Sequence, residues 1–339
     1  MTALGVGARQ LRLAGRLLAH RFRELHPYDV EINLLNACNL RCVYCRCPDI
    51  KIRLLSTERW CEIIRQLGEV GALRVRFQGG EPTLRTDFRQ LCAAVQEAGA
   101  LCGVTTNGLR IAEHPKLLDH LDEVVISLDA VTPEIHDRLR GRGTHAQVVR
   151  AIDITRARGV ATYVTMVVTS ENLTELEPML EFCERRGVVF HAQPILFGRQ
   201  NFDDTVRHLA LTPEQQRAVH NQLAVWKRQR RALIFTASTY AGVAEWPDHD
   251  VLAIRAEGIS GCVAGRYYIH IEANGDVHPC VLHAASLTPK NIVTDGFEEA
   301  LRHVQRHDCG DCYTACLVER KAVFGLRPAA LLEAFRRGG

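Results

Sequence analysis

The chain has 339 residues, 47% hydrophobic and 24% charged, proportions that suit a globular protein with a buried core and exclude large-scale disorder. Its 42 Lys and Arg against 39 Asp and Glu leave a net charge of +3, too even for a surface built to bind nucleic acid. No stretch reaches the ~18 uninterrupted apolar residues of a membrane-spanning helix.

In chain order, Gln10 to Leu25 sets Leu11, Leu13, Leu17, Leu18 and Phe22 among Arg12, Arg16, Arg21 and Arg23, the spacing of an amphipathic helix with a basic face. Packing across one end of the core is the plain reading. The basic face also suits weak contact with an anionic membrane surface, and the lack of acidic residues before Glu24 fits an organelle transit peptide as well. No secretory signal is present, so a cytoplasmic location is expected. Strands are then predicted at Val30–Leu35, Arg74–Gln78, Leu101–Thr105, Glu123–Leu128, Thr162–Val168 and Val188–Ile195. Helices fall between and after them at Thr57–Val70, Thr86–Ala98, His114–His120, Ala146–Arg158, Leu173–Arg186 and Leu211–Arg231. Such alternation implies a parallel α/β sheet, open or curved into a partial (β/α)6 barrel, with its chemistry at the carboxyl ends of the strands. After Arg231 the rhythm changes. Ile269–Glu272 and Val277–Val281 around Asn274-Gly275-Asp276 read as a hairpin, and a last helix is predicted at Ala329–Arg336. Three parts are expected: 1–27, 28–234 and a smaller unit at 235–339.

Thirteen cysteines without a secretory signal are read as metal ligands or reactive thiols. Cys61, Cys92, Cys102 and Cys183 suit small apolar fillers, as does Cys47; eight others form two groups. In the first, Cys38, Cys42 and Cys45 follow the first strand with spacings of three and two. Three thiolates on one short loop can hold three irons of a [4Fe–4S] cube and leave the fourth open. Zinc is the alternative, with Cys47 as a fourth thiolate.

This loop resembles that of the radical S-adenosylmethionine (radical SAM) superfamily, and further matching segments follow through residue 195. Gln78-Gly79-Gly80-Glu81-Pro82 resembles the element that receives the ammonium of the methionine moiety. Thr105-Thr106-Asn107-Gly108, Ser127-Leu128-Asp129 and Gln193-Pro194 end later strands. His136 to Gly141, with Arg140, is similar to a segment of the subset with extra clusters. The resemblance implies cofactor contacts from Gly79, Gly80, Glu81, Asn107, Ser127, Asp129, Arg140 and Gln193. It also implies reductive cleavage of SAM to a 5′-deoxyadenosyl radical that takes a hydrogen atom from substrate, with a flavodoxin- or ferredoxin-type protein as electron donor. Cys47, as a hydrogen-atom donor, and His191, facing inward beside Gln193, are candidate catalytic residues.

In the second group, Cys262 and Cys280 are separated by seventeen residues and delivered by the hairpin, and Cys309, Cys312 and Cys316 form a knuckle. This resembles the twitch form of the SPASM domain. It implies an auxiliary [4Fe–4S] cluster on Cys262, Cys280, Cys309 and Cys312, with Cys316 as substitute or redox-active thiol, acting as electron acceptor. A four-thiolate zinc knuckle fits the spacings too. The expected substrate is a small polar, sugar- or aminocyclitol-like molecule that is dehydrogenated or epimerised. Only 37 residues precede Cys38, few for a peptide-binding module, so a peptide-modifying maturase stands as the alternative. A non-catalytic iron–sulfur sensor is the second.

Overall fold

The computed structural model describes Gly15 and residues 25–196, 204–250, 253–254, 262–283, 287–307 and 310–325. The basic helix expected at Gln10–Leu25 (Gly15 and Leu25 apart), the last helix at Ala329–Arg336 and Cys309 lie outside the described residues. Six strands, β1 (Asp29–Asn33), β2 (Arg74–Gln78), β3 (Leu101–Thr106), β4 (Glu123–Ser127), β5 (Ala161–Val168) and β6 (Val189–Pro194), pair parallel in sequence order. With right-handed crossovers that order puts the connecting helices on one face and leaves the other as the inner wall of a curved sheet. The partial barrel expected from the alternation is the architecture found.

Helices α1 (Thr57–Glu69), α2 (Phe88–Glu97), α3 (Leu109–Glu113), α4 (Pro133–Arg140), α5 (His145–Ala157), α6 (Leu176–Arg186) and α7 (Pro213–Arg228) follow the strands. Every second strand residue is apolar: Ile32, Phe77, Val104, Ile126, Val164 and Phe190 are 0% exposed and share one core with Ile64, Leu67, Leu91 and Val95 of α1 and α2. Two helix predictions are corrected. In place of a helix at His114–His120, α3 starts after Gly108, whose φ of +82° opens the turn, and a separate 3-10 turn spans Pro115–Leu118. Pro115 lacks the N–H that a continuous helix would need there. Helix α4 was not predicted as one, because eight residues with only Ile135 and Leu139 as apolar side chains carry little periodicity.

The later part of the chain holds α8 (Ala237–Ala244), β7 (Ala253–Ile254), β8 (Tyr268–Ile271), β9 (Asp276–His278), β10 (Lys290–Asn291), α9 (Phe297–Gln305), β11 (Asp311–Cys312) and α10 (Ala315–Phe324). The hairpin at Asn274–Gly275 is present, with Gly275 at φ +93°. However, β8 also pairs parallel with β1, so one nine-stranded sheet, β10-β9-β8-β1-β2-β3-β4-β5-β6, runs across residue 235. Among the described residues no helix is long and apolar enough to cross a membrane.

The inner wall is charged where the outer one is apolar. Asp29, Glu31, Arg74, Arg76 and Glu123 line β1, β2 and β4, and α10 inserts Arg320, whose guanidinium lies 2.5 Å from Asp29 and 3.1 Å from Glu31. Arg74 bonds Asp29 through two nitrogens at 2.9 and 2.5 Å, and the Tyr268 hydroxyl donates to Glu31 at 2.6 Å. Three carboxylates face three guanidiniums, so these buried charges are paired.

Candidate active site

Beyond β1 the backbone is laid against the end of β2. Leu34 N donates to Gln78 O at 2.9 Å, Gly80 N to Leu35 O at 2.7 Å and Glu81 N to Ala37 O at 2.9 Å. A Cβ on Gly79 would stand 2.2 Å from Leu35 O, and one on Gly80 2.2 Å from Ala37 O. The two glycines were expected to let carbonyls approach an ammonium. In the structure they are needed already so that residues 35–37 can lie on them, and those residues deliver Cys38. Gly80→Ala therefore displaces the cysteine loop. We expect the purified variant to take up less than about half the wild-type iron on anaerobic reconstitution, read by metal analysis.

Glu81 was expected to grip the cofactor ammonium. Its side chain is 0% exposed and occupied within the protein: Oε1 accepts from Thr83 N (3.1 Å) and the Thr106 hydroxyl (2.8 Å), and Oε2 from Asn107 N (2.8 Å). It caps the 3-10 turn at Pro82–Leu84 and ties β2's end to β3's. Burial pushes its carboxyl up, against the pull of those donors. The carboxylate thus clamps the two strand ends together.

Cys38, Cys42 and Cys45 are half-buried on the loop. Cys45 N donates to Cys42 O at 3.0 Å, and Leu40 N approaches the Cys38 sulfur at 3.4 Å. Burial pushes the Cys38 thiol up and that of Cys42 to about 12, and charge on the neighbouring sulfurs adds to both shifts. Such thiols ionise when a cationic centre takes their charge. Cys47 is 3% exposed and its sulfur lies 3.6 Å from Asn36 Oδ1. The loop therefore offers three thiols, the donor set of a cube with one open iron, and the residues fit that group. Among the described residues no three His, Cys, Asp or Glu side chains close on a single-ion position.

Asp129 and Arg140, expected as cofactor contacts, anchor the far side of this loop. Asp129 is 0% exposed and takes the Tyr44 hydroxyl, Arg140 Nε at 2.8 Å, Arg140 Nη2 at 3.1 Å and Val167 N at 3.0 Å. Val43 N donates to Leu139 O at 2.9 Å. Together these bonds pin Tyr44, next to Cys45, onto β4, α4 and β5. His136 accepts from Asp129 N at 3.1 Å; burial holds its imidazole down to about 4.

The other candidates line the carboxyl ends of the strands. Asn107 Nδ2 donates to Asn39 Oδ1 at 2.8 Å and sits 3.9 Å from the Cys38 sulfur, so it borders the loop directly. Ser127 pairs in register with Thr165, and Thr165 with His191, giving a row of polar side chains on the inner wall. The Thr165 hydroxyl lies 3.2 Å from His191 Nδ1, while His191 Nε2 is buried without a partner. Burial, with Arg76 and Arg320 nearby, lowers the His191 imidazole to about 4, which leaves it neutral at pH 7. Gln193 is half-buried, and its amide donates to Pro194 O at 3.3 Å. Sequence reasoning missed Thr165, although its place two residues before Val167 on a period-two strand marked it as inward-facing. It also missed Tyr44's hydroxyl bond and the clamp role of Thr83 and Thr106.

Beside Tyr268 of β8, whose hydroxyl reaches Glu31 of the inner wall, Cys280 and Cys312 pack with Ala264 and Leu317, and Cys262 and Cys316 lie against them. Four thiols, from the segment before β8, the end of β9, β11 and α10, thus pack into one cluster, with Cys309 outside the described residues. The nearby Cys262 sulfur and burial together push the Cys312 thiol well up, so that it resists ionisation. None of the twelve described cysteines is in a disulfide.

Residues 32–183 match the profile of the radical SAM superfamily. Mycofactocin maturase MftC of Mycolicibacterium smegmatis is 31% identical over 289 residues, covering 82% of this chain and 70% of that protein. The chain belongs to the radical SAM superfamily. It is a radical SAM enzyme, and its cofactors are a [4Fe–4S] cluster and S-adenosylmethionine. The PqqA peptide cyclase of Gluconobacter oxydans is 28% identical over 277 residues, 78% of this chain and 72% of that one. Among solved structures of the same fold, Streptococcus suis SuiB bound to precursor peptide SuiA superposes with a TM-score of 0.63 at 20% identity, covering 88% of this chain and 68% of that one. Membership in an enzyme superfamily overturns the sensor alternative.

Proposed function

We propose that the chain is a maturase that modifies a peptide by radical SAM chemistry, which replaces the small sugar-like substrate expected first. The observation that carries this reading is the breadth of the likeness to MftC. It spans 82% of the chain and so reaches past the superfamily segment into the region of the second cysteine group. The PqqA peptide cyclase, whose name states a peptide substrate, supports the same reading.

In this reading Cys38, Cys42 and Cys45 hold the cluster, and SAM lies over the strand ends near Gly79, Gly80, Asn107, Ser127 and Gln193. When bound, the cluster supplies the electron that cleaves SAM. The protein's part is to hold the loop through Tyr44, Asp129 and Arg140, and to keep water from the inner wall. His191 presents a neutral imidazole there, suited to hydrogen bonding and not to acid–base exchange at pH 7. Cys47, held on Asn36, stays a candidate hydrogen-atom donor only if that contact opens. The four gathered C-terminal thiols fit an auxiliary [4Fe–4S] cluster that accepts an electron from substrate, within the unit expected from residue 235 onward.

The test is anaerobic incubation of the reconstituted enzyme with SAM and dithionite against short peptides and aminocyclitols. Peptide-stimulated release of 5′-deoxyadenosine, about tenfold or more over the peptide-free rate, with a mass change on the peptide, is expected. Stimulation by aminocyclitols alone restores the first expectation and rejects the maturase.

A further inference from the structure

The β8–β9 hairpin carries a row of polar side chains on one face. His270 and His278 stand opposite each other in register, and Glu272 N donates to Asp276 O at 2.8 Å across the same pair of strands. Residues two apart on a strand share a face, as do residues directly opposite across a pair, so His270, Glu272, Asp276 and His278 stand together. That face continues the inner wall: His270 is in register with Glu31 of β1, and Asn33 Nδ2 donates to Glu272 Oε2 at 2.6 Å. Asn33 is in turn level with Gln78, the residue before Gly79. Glu272 therefore lies on the rim formed by the carboxyl ends of the strands, two strands or ~10 Å from the glycine pair.

A cavity of about 320 Å³ opens at this place. Glu272, Asp276 and His278 line it from the hairpin, and Ile50, Lys51 and Ile52 from the segment that leaves the cysteine loop. It is at the small end of the ~300–1,000 Å³ range of ligand pockets, with room for one side chain. The two linings are tied together. Asn33 Nδ2 also donates to Asn36 Oδ1 at 2.8 Å, and Asn36 Nδ2 to Ile50 O at 3.1 Å.

Charge in this cavity is not balanced as it is farther down the wall, where Asp29, Glu31 and Glu123 each meet a guanidinium. Glu272 is 8% exposed, yet among the described residues neither it nor Asp276 has a Lys or Arg within 4.0 Å. Gln78 Nε2 can only donate and stands 3.3 Å from His270 Nδ1, so that nitrogen accepts and His270 Nε2 donates to Glu272 at 3.1 Å. Asp276 is held by the amides of Asn274 at 2.7 Å and Asn291 at 2.9 Å. All of these partners are neutral donors. Burial pushes the Glu272 carboxyl up, but the bonds from His270 and Asn33 outweigh it and hold it below its ordinary value, so it is an anion at pH 7. A buried anion with neutral partners beside an open cavity is matched by a cation. Among the described residues no three His, Cys, Asp or Glu side chains close on a single-ion position, which points to an organic cation and not to a metal.

We propose that this cavity receives a basic side chain, lysine or arginine, of the peptide substrate, with Glu272 and Asp276 as its counter-charges and Ile50 and Ile52 along its methylenes. The inference rests on the maturase reading above. Anchored there, the peptide presents a neighbouring residue to the inner wall and to the radical. The exposed Lys51 forms no ion pair with either acid and repels the incoming cation, so it tempers the affinity.

The experiment uses the full-length reconstituted enzyme with SAM bound and fluorescently labelled pools of short peptides, random except for one central position held as Lys, Arg, norleucine or Glu. By fluorescence anisotropy the Lys and Arg pools should bind about tenfold tighter than the norleucine pool, and the Glu pool weaker still. Asp276→Asn should cut that preference to about threefold or less and Glu272→Gln should abolish it, both binding the norleucine pool as the wild type does. Lys51→Ala should widen it. Iron content and circular dichroism identify variants that are folded and loaded, and should Glu272→Gln fail to fold, Asp276→Asn and Lys51→Ala carry the test. Pools that bind the wild type without preference, a preference for Glu, or a preference untouched in Asp276→Asn overturn the proposal. A wild type that binds no peptide pool instead overturns the maturase reading beneath it.

Discussion

Replacing any one of Cys38, Cys42 and Cys45 with alanine is expected to reduce SAM cleavage to background, while the fold survives. The sulfurs are half-buried on a surface loop whose backbone is fixed from both sides. Removing one takes away a cluster ligand without opening a cavity in the core. Two remaining thiols cannot hold a cube that keeps one iron for the sulfonium donor. The measurement is 5′-deoxyadenosine release by chromatography, alongside iron content and circular dichroism. Because the C-terminal thiols lie in a separate group, iron in these variants should fall only part of the way. A single-cysteine variant that cleaves SAM at the wild-type rate rejects the ligand assignment. Cys47→Ala is the control: this thiol faces Asn36, and its loss should leave iron uptake unchanged.

The second large effect is on stability. Arg320→Met should destabilise the protein by about 3–5 kcal/mol, because it leaves Asp29 and Glu31 buried beside each other with one guanidinium fewer. Burial alone would push both carboxyls up. Arg320 and Arg74 outweigh it at Asp29, and Arg320 and Arg76 at Glu31, holding both below their ordinary values near 3.8 and 4.5. Carboxyls depressed in this way add stability that is complete above those ordinary values and is lost as pH falls through the lowered ones. In the variant the acid transition should therefore begin at higher pH than in the wild type, and urea unfolding at pH 7 should show the loss. Arg320→Lys, which keeps a charge but loses the planar fork, should recover part of it. An unchanged acid midpoint in Arg320→Met would mean that the buried pairs contribute nothing to pH stability.

These two sites differ in how far they could be read in advance. The cysteine spacing is local, and chemistry constrains it within eight residues, so the loop could be identified from residue types alone. The same holds for the strands. Their outer residues alternate with polar ones at period two because one face packs under helices, and all six were located to within two residues at either end. Helix α4 and the Pro115 break were misread where the apolar pattern is thin or where one proline decides the backbone.

Partnership across the chain was not legible. Asp129 and Arg140 stand 11 residues apart, and the Tyr44 they hold is 85 residues away from Asp129. At Glu81 the sequence records that a carboxylate is present, not that a hydroxyl and an N–H from the next strand bond it. Arg320 comes from the far end of the chain to meet β1, 291 residues earlier. Residue type and local spacing determined the chemistry, the strand rhythm and the superfamily. The tertiary structure alone decided which polar groups neutralise one another and that β8 continues the barrel sheet beside β1. Burial makes each of those choices, since a charge or thiol taken out of water must find its partner wherever the fold brings one.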